Sequence, residues 1–304
     1  MRRVLFSIFV LLASIGLSSA QEDRLQIVAS HSILADVVSN VVGDAADVTS
    51  LMPLGADPHS FIPSPSDLTT LADADIVFVN GAMFEDGVMA AIETAGAEMN
   101  IVTASSCVQM IGFGGHDHDH AEGEEHDQEE GEMHEGEMTA IAQMCAEHYA
   151  ELESFHEDSD LHDEGEAHAE GDNHDHGGET LGALYTLDCG DGHDHEDEGD
   201  HNHGACDPHV WTEPHNVMYW TILIRDTLIA IDTANAETYT ANAAEYLTAV
   251  DALAHDFITP MVETLPEESR ILVTNHEAFG YFAKRHGFEI AMTIIPGGGT
   301  VAEP

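Results

Sequence analysis

The sequence predicts an α/β protein of two lobes with parallel sheets, with a histidine- and acid-rich segment inserted into the first. Three observations carry this expectation. Residues 25–105 alternate short β-rich runs with helical patterns, as βαβ units do; residues 112–205 lose that alternation; and from Trp211 it returns, with a long helical stretch ahead of two more strands.

In the first lobe, strands are expected at Leu25–Ser30, Asp47–Met52, Asp75–Gly81 and Asn100–Ala104. Between the first two, Ile33, Leu34, Val37, Val38, Val41 and Val42 fall on one helical face, and Ser66–Ala74 and Met83–Ala95 are further helices. From Gly112 to Ala205 the chain holds 15 of its 22 histidines and 31 of its 58 acidic residues, with no Lys or Arg. Such a composition buries too little apolar surface to offset chain entropy, so this tethered insertion is expected to be disordered without a ligand. Only Thr139–Tyr149 and Thr180–Leu187 are apolar enough to fold locally.

Beyond the insertion, Val217–Ile231 reads as a helix and Asn235–Leu265 as one long helix, with apolar positions at Tyr239, Ala243, Tyr246, Leu247, Val250 and Leu253. A strand at Arg270–Asn275, a helix at Glu277–Arg285 and a strand at Phe288–Ile295 then begin a second lobe. The division expected is a leader over 1–20, a first lobe over 21–111, the insertion over 112–205, a return to the first lobe over 206–233, a linking helix over 234–265 and the start of the second lobe over 266–304.

Charge narrows the partners. Seven Lys plus Arg against 58 Asp plus Glu give a formal net charge of −51, which removes the basic footprint that nucleic acid needs and favours cations. Arg2 and Arg3, the apolar run Val4–Leu17 and the small residues Ser18-Ser19-Ala20 read as a secretory signal cleaved before Gln21. That run is shorter than the ~20 residues that span a bilayer, and no cysteine follows the cleavage point to take a lipid. A soluble periplasmic protein is expected. Cys107, Cys145, Cys189 and Cys206 allow three pairings that sequence cannot rank; a Cys107–Cys206 bridge would cinch the base of the insertion, and free thiols as soft ligands are the competing reading.

Three histidines outside the insertion stand at strand ends or loop mouths: His59 in "GADPHSFIPSPSDL", His209 in "CDPHVWTEPHN" and His276 in "ILVTNHEAFGYF". In open α/β sheets ligands bind beyond the carboxyl ends of strands, and three neutral imidazoles there suit zinc. Taken singly, each is more readily a satisfied surface histidine; the fold must bring them together. Within the insertion, His116, His118 and His120, and the pairs His174 and His176, His193 and His195, His201 and His203, offer alternate imidazoles for weak metal capture, whereas a plain acidic spacer explains the charge but not the histidines. His31 opens the first helix and could lie near the site mouth; His215, His255 and His286 read as surface residues.

These three segments, with "HSILADVVSNVVGD" and "NAETYTANAAEYLTAVDAL", resemble the motifs of the zinc-binding proteins that serve ABC-type zinc importers, over roughly residues 25–110 and 206–304. The resemblance implies two lobes joined by a long rigid helix, with Zn²⁺ held between them by His59, His209 and His276. It also implies a periplasmic monomer that hands zinc to a membrane permease and performs no chemistry. Manganese-binding relatives usually carry glutamate at the third position, so His276 points to zinc. The family often places a histidine- and acid-rich loop between the first two ligand motifs, where 112–205 lies. Its members continue beyond Glu303-Pro304 and commonly supply an aspartate from there, so a truncated second lobe and a fourth ligand past residue 304 are expected; Pro58 stands where some relatives have a glutamate ligand. Two rivals remain at this level: a zinc hydrolase or hydratase with an open fourth position, for which no H-E-x-x-H motif or placed general base is present, and a zinc buffer or adhesin without a transporter.

Overall fold

The computed structural model describes residues 24–56, 58, 61–85, 88–89, 91–92, 100–112, 135–160 and 206–294. The expected leader, the insertion apart from 135–160, and residues 295–304 lie outside the described residues.

Four parallel strands form the first sheet: β1 (Gln26–His31), β2 (Asp47–Met52), β3 (Ile76–Val79) and β4 (Asn100–Thr103), in the order β2-β1-β3-β4. Each boundary lies within about two residues of its sequence expectation, because the β-rich runs are flanked by polar or glycine breaks. The two-residue period of a strand separates two cores. Ile27, Ala29, Ile76 and Phe78 face one side, against α1 (Ser32–Val42), α4 (Pro214–Ile231) and α5 (Ala236–Ala252). Val28, Val77 and Val79 face the other, against Leu71 of α2 (Pro65–Ala72) and the helical residues Val88 and Ile92. Fully buried side chains such as Phe78, Ile27 and Leu34 contribute about 1.5–3 kcal/mol each relative to exposure.

Most of the apolar face expected in α1 is buried, with Leu34, Val37, Val38, Val41 and Val42 pointing inward, whereas Ile33, expected on the same face, is exposed. The helix stops at Gly43, whose φ of 55° suits glycine and whose added Cβ would lie 2.8 Å from Asn242 Nδ2. Asn242 donates instead to the carbonyl of Val41 at 3.1 Å, fastening α5 to the end of α1.

Thr139–Tyr149, expected to fold locally within the insertion, lies in a helix, α3, that runs further than expected, over Glu135–Asp160, so the expectation of disorder is corrected for the residues that flank the patch. Ile141, Met144, Cys145, Tyr149, Leu152 and Phe155 recur at helical spacing and pack on Met218, Ile222 and Leu223 of α4. The expected patch holds the first four of these residues, and the acidic and histidine-rich composition beyond Tyr149 conceals Leu152 and Phe155. A Cys107–Cys145 disulfide fixes the helix to the first lobe, Tyr149 donates to the carbonyl of Cys107 at 2.6 Å, and Glu151 forms a two-pronged ion pair with Arg225. Cys206 is disulfide-bonded as well, so the Cys107–Cys206 bridge considered from sequence does not form. What closes the base of the insertion is an antiparallel β-bridge between Gly112 and Cys206.

The stretch read as one long helix is continuous but not uniform. It runs as α5, then a π-helical turn over Leu253–Ile258, then α6 (Thr259–Glu263). Pro260 lacks the N–H that an α-helix would direct to residue 256, and a local change of helical register accommodates it. A second parallel pair follows, β5 (Ile271–Thr274) and β6 (Glu289–Thr293), joined through α7 (Gly280–His286).

Candidate metal centre

His209 is placed by three neighbours of its backbone. Asn80, at the carboxyl end of β3, donates to the carbonyl of Pro208 at 3.1 Å; Asp207 N–H donates to Ile111 beside the β-bridge; and Thr212 Oγ1 donates to the His209 carbonyl at 2.9 Å. Beneath them, the buried Glu85 accepts from Ser30 Oγ and Asn80 N–H at 2.6 Å each, tying β1 to β3. Burial holds the Glu85 carboxyl above the ordinary range, against the lowering effect of those hydrogen bonds.

The His209 ring is buried, 4% exposed, and its Nδ1 lies 2.8 Å from Asp207 Oδ1. A carboxylate there places the proton on Nδ1 and leaves the Nε2 lone pair for a cation. His276 follows β5 by two residues, beyond its carboxyl end, with Nδ1 3.2 Å from Asn275 Oδ1. The two rings lie 5.2 Å apart at 67°. Imidazoles sharing a tetrahedral zinc at Zn–N of about 2.0–2.1 Å have ring centres on the order of 5 Å apart.

Two of the three predicted ligands are thus brought together from segments 67 positions apart in the numbering. His59 lies outside the described residues, in the connection between β2 and the capping box of α2, where Ser64 and Asp67 hold each other's backbone N–H. His116, His118, His120, His174, His176, His193, His195, His201 and His203 also lie outside them. Among the described residues, no three donors form a finished cage.

Sequence reasoning missed the groups that aim the pair, although all stand in the quoted motifs. Asp207 is one. Gly280 is another: a Cβ there would sit 2.4 Å from Asp207 Oδ2 and 2.9 Å from Ile111 Cδ1, so only glycine lets α7 approach the carboxylate. Tyr281 beside it donates to the carbonyl of Asp207 at 2.9 Å. The start of the second lobe is therefore docked on the residues that hold His209.

Behind the pair stands an aromatic wall. Trp211 lies 5.4 Å from His209, 5.0 Å from His31 and 5.2 Å from Phe84. His31 is buried there, its Nδ1 receiving Leu34 N–H at 3.5 Å as the cap of α1, while Nε2 has no hydrogen-bond partner among the described residues. Desolvation pushes its pKa down to about 3. His215, expected at the surface, is buried with Nδ1 2.8 Å from Glu213 Oε1, while His255 is exposed and His286 half-buried.

A family profile described as zinc-uptake complex component A, periplasmic, matches residues 27–304. The manganese-binding lipoprotein MntA of Halalkalibacterium halodurans is 26% identical over 298 residues, covering 95% of this chain and 70% of its own. The iron ABC transporter substrate-binding lipoprotein MtsA of Streptococcus pyogenes serotype M1 is 24% identical over 283 residues, covering 92% and 66%. Among solved structures, a Mn-bound periplasmic metal binding protein from candidatus liberibacter asiaticus aligns with a TM-score of 0.55 at 19% identity, covering 89% and 68%. The periplasmic zinc binding protein TroA from Treponema pallidum aligns at 0.56 and 17%, covering 92% and 69%. At these identities the structural likeness bears on the fold. The chain spans about two thirds of the length of these relatives.

Proposed function

The chain belongs to the zinc-uptake complex component A periplasmic family, whose relatives are metal-transporter binding components rather than enzymes, and we propose that its cargo is zinc. In this reading it works outside the cytoplasm as a monomer, holds Zn²⁺ between the lobes through His59, His209 and His276, and passes it to the membrane permease of an ABC importer. No helix among the described residues is long and apolar enough to cross a membrane. The histidines of the insertion serve as weaker capture sites.

The relatives' names divide among manganese, iron and zinc, so likeness alone does not choose the cargo. The observation that carries zinc is the His209–His276 ring pair at 5.2 Å with Asp207 behind it. Imidazole donors suit zinc, whereas manganese is better served by carboxylates and carbonyls. Competition titration against a chelator tests this: zinc should bind the tight site on the order of a hundredfold more strongly than manganese. His59→Ala, His209→Ala and His276→Ala should each weaken that site far more than His286→Ala. Manganese bound as tightly as zinc would remove the cargo assignment, and indifference to His276→Ala would remove the ligand assignment.

A further inference from the structure

Three other histidines meet from three separate segments: His156 near the end of α3, His215 in the first turn of α4, and His255 in the π-helical turn after α5. Their ring centres form a near-equilateral triangle, 5.4 Å from His156 to His215, 5.4 Å from His156 to His255 and 5.3 Å from His215 to His255, each pair edge-on. That is the spacing of imidazoles around one zinc ion, on the order of 5 Å.

Carboxylates back the triangle. Asp251 Oδ1 lies 2.8 Å from His255 Nδ1 and 3.2 Å from His156 Nε2, and Glu213 Oε1 lies 2.8 Å from His215 Nδ1. Metal sites orient their imidazoles in this way. Burial by itself would raise the Glu213 pKa, but the hydrogen bond and charge of His215 and the charge of Arg285 bring it below the ordinary carboxylate value. Arg285 also faces the group, its Nη2 3.4 Å from His215 Nε2. Each ring lies beside a carboxylate, but that proximity does not by itself bring three rings together from an insertion helix, a capping turn and a helical irregularity.

We propose that His156, His215, His255 and Asp251 form a second site, for a divalent transition cation of the zinc type, at the junction of α3 with the frame. This inference is independent of the transport reading. As the side chains stand, the nitrogens turn to their carboxylates and the four groups do not form a cage; in the proposed site the rings rotate about their Cβ–Cγ bonds to direct one nitrogen each to a common centre, with Asp251 as fourth donor. The cation displaces to solvent the proton that His255 Nδ1 shares with Asp251, and the exposed Arg285 swings away from His215. The 46% exposed His255 side chain supplies the way in. An ion there fastens α3 to the long helix, so occupancy and the docking of the insertion are linked.

The test is residue-resolved, which separates this site from the histidines of the insertion. The full chain is treated with diethyl pyrocarbonate with and without Zn²⁺ alone, and modification of each histidine is read by peptide mass spectrometry. Zinc should slow modification of His255 by at least about tenfold. That protection should persist in the His209→Ala/His276→Ala double variant and vanish in His156→Ala and in His215→Ala. His255→Ala, at an exposed position, should reciprocally expose His156, so the result does not depend on whether variants at the more buried positions fold. Absence of protection at His255, or protection that survives both His156→Ala and His215→Ala, overturns the site.

Discussion

Asp207 holds His209 twice through one oxygen: Oδ1 accepts from the His209 backbone N–H at 2.9 Å and lies 2.8 Å from its Nδ1. Backbone and ring of the histidine are therefore set by one carboxylate, itself buried.

Asp207→Asn preserves shape and removes the charge. The imidazole loses basicity and its fixed tautomer, and the tight site should weaken about 10- to 100-fold. A chelator competition titration reads this directly; unchanged affinity would mean that Asp207 shapes the loop without tuning the ligand.

Gly280→Ala forces a methyl group to within 2.4 Å of Asp207 Oδ2 and 2.9 Å of Ile111 Cδ1. Relieving that overlap moves α7 or the carboxylate, at a cost of about 1–3 kcal/mol. Thermal denaturation should show a lowered midpoint and zinc titration a weakened site. A variant with native stability and affinity would refute the close approach.

The Cys107→Ser/Cys145→Ser variant should release α3. The bridge spans a sequence separation of 38, for which loop-closure entropy gives about 4 kcal/mol, while the apolar stripe and the Glu151–Arg225 pair remain. Limited proteolysis within residues 135–160 should accelerate while the sheet of the first lobe resists. Equal cleavage rates would show that packing alone fixes the helix.

His31 makes stability pH-dependent. Its folded pKa of about 3 lies below the ordinary 6.5, so between those values the unfolded chain takes up a proton that the folded chain refuses. Its contribution is complete above pH 6.5 and is lost as pH falls toward 3, at up to about 1.4 kcal/mol per unit. His31→Phe fits the same aromatic wall without titrating. Chemical denaturation of both proteins across that window should show a shallower acid loss for the variant; parallel curves would contradict the burial of a neutral imidazole.

Much of this protein was legible in its residues. The strands of the first lobe, the buried face of α1 and the approximate span of the long helix follow from periodicities of two and 3.6, which a chain expresses locally. The histidine motifs named the metal-binding candidates, and for His209 and His276 the fold brings them together. The first part of the stripe that docks α3 was legible in Thr139–Tyr149, while Leu152 and Phe155 were hidden among acidic and histidine residues.

Tertiary structure alone decided which distant groups meet. Cys145 and not Cys206 reaches Cys107 because α3 lies across α4. His215, polar and unremarkable in sequence, is buried beside Glu213, and it finds His156 and His255 only where α3, α4 and the π-helical turn converge. Side-chain chemistry and local periodicity are properties of neighbours along the chain, and a ligand set is a property of neighbours in space. The packing of helices on the sheet fixes those spatial neighbours, and no spacing in the sequence encodes them.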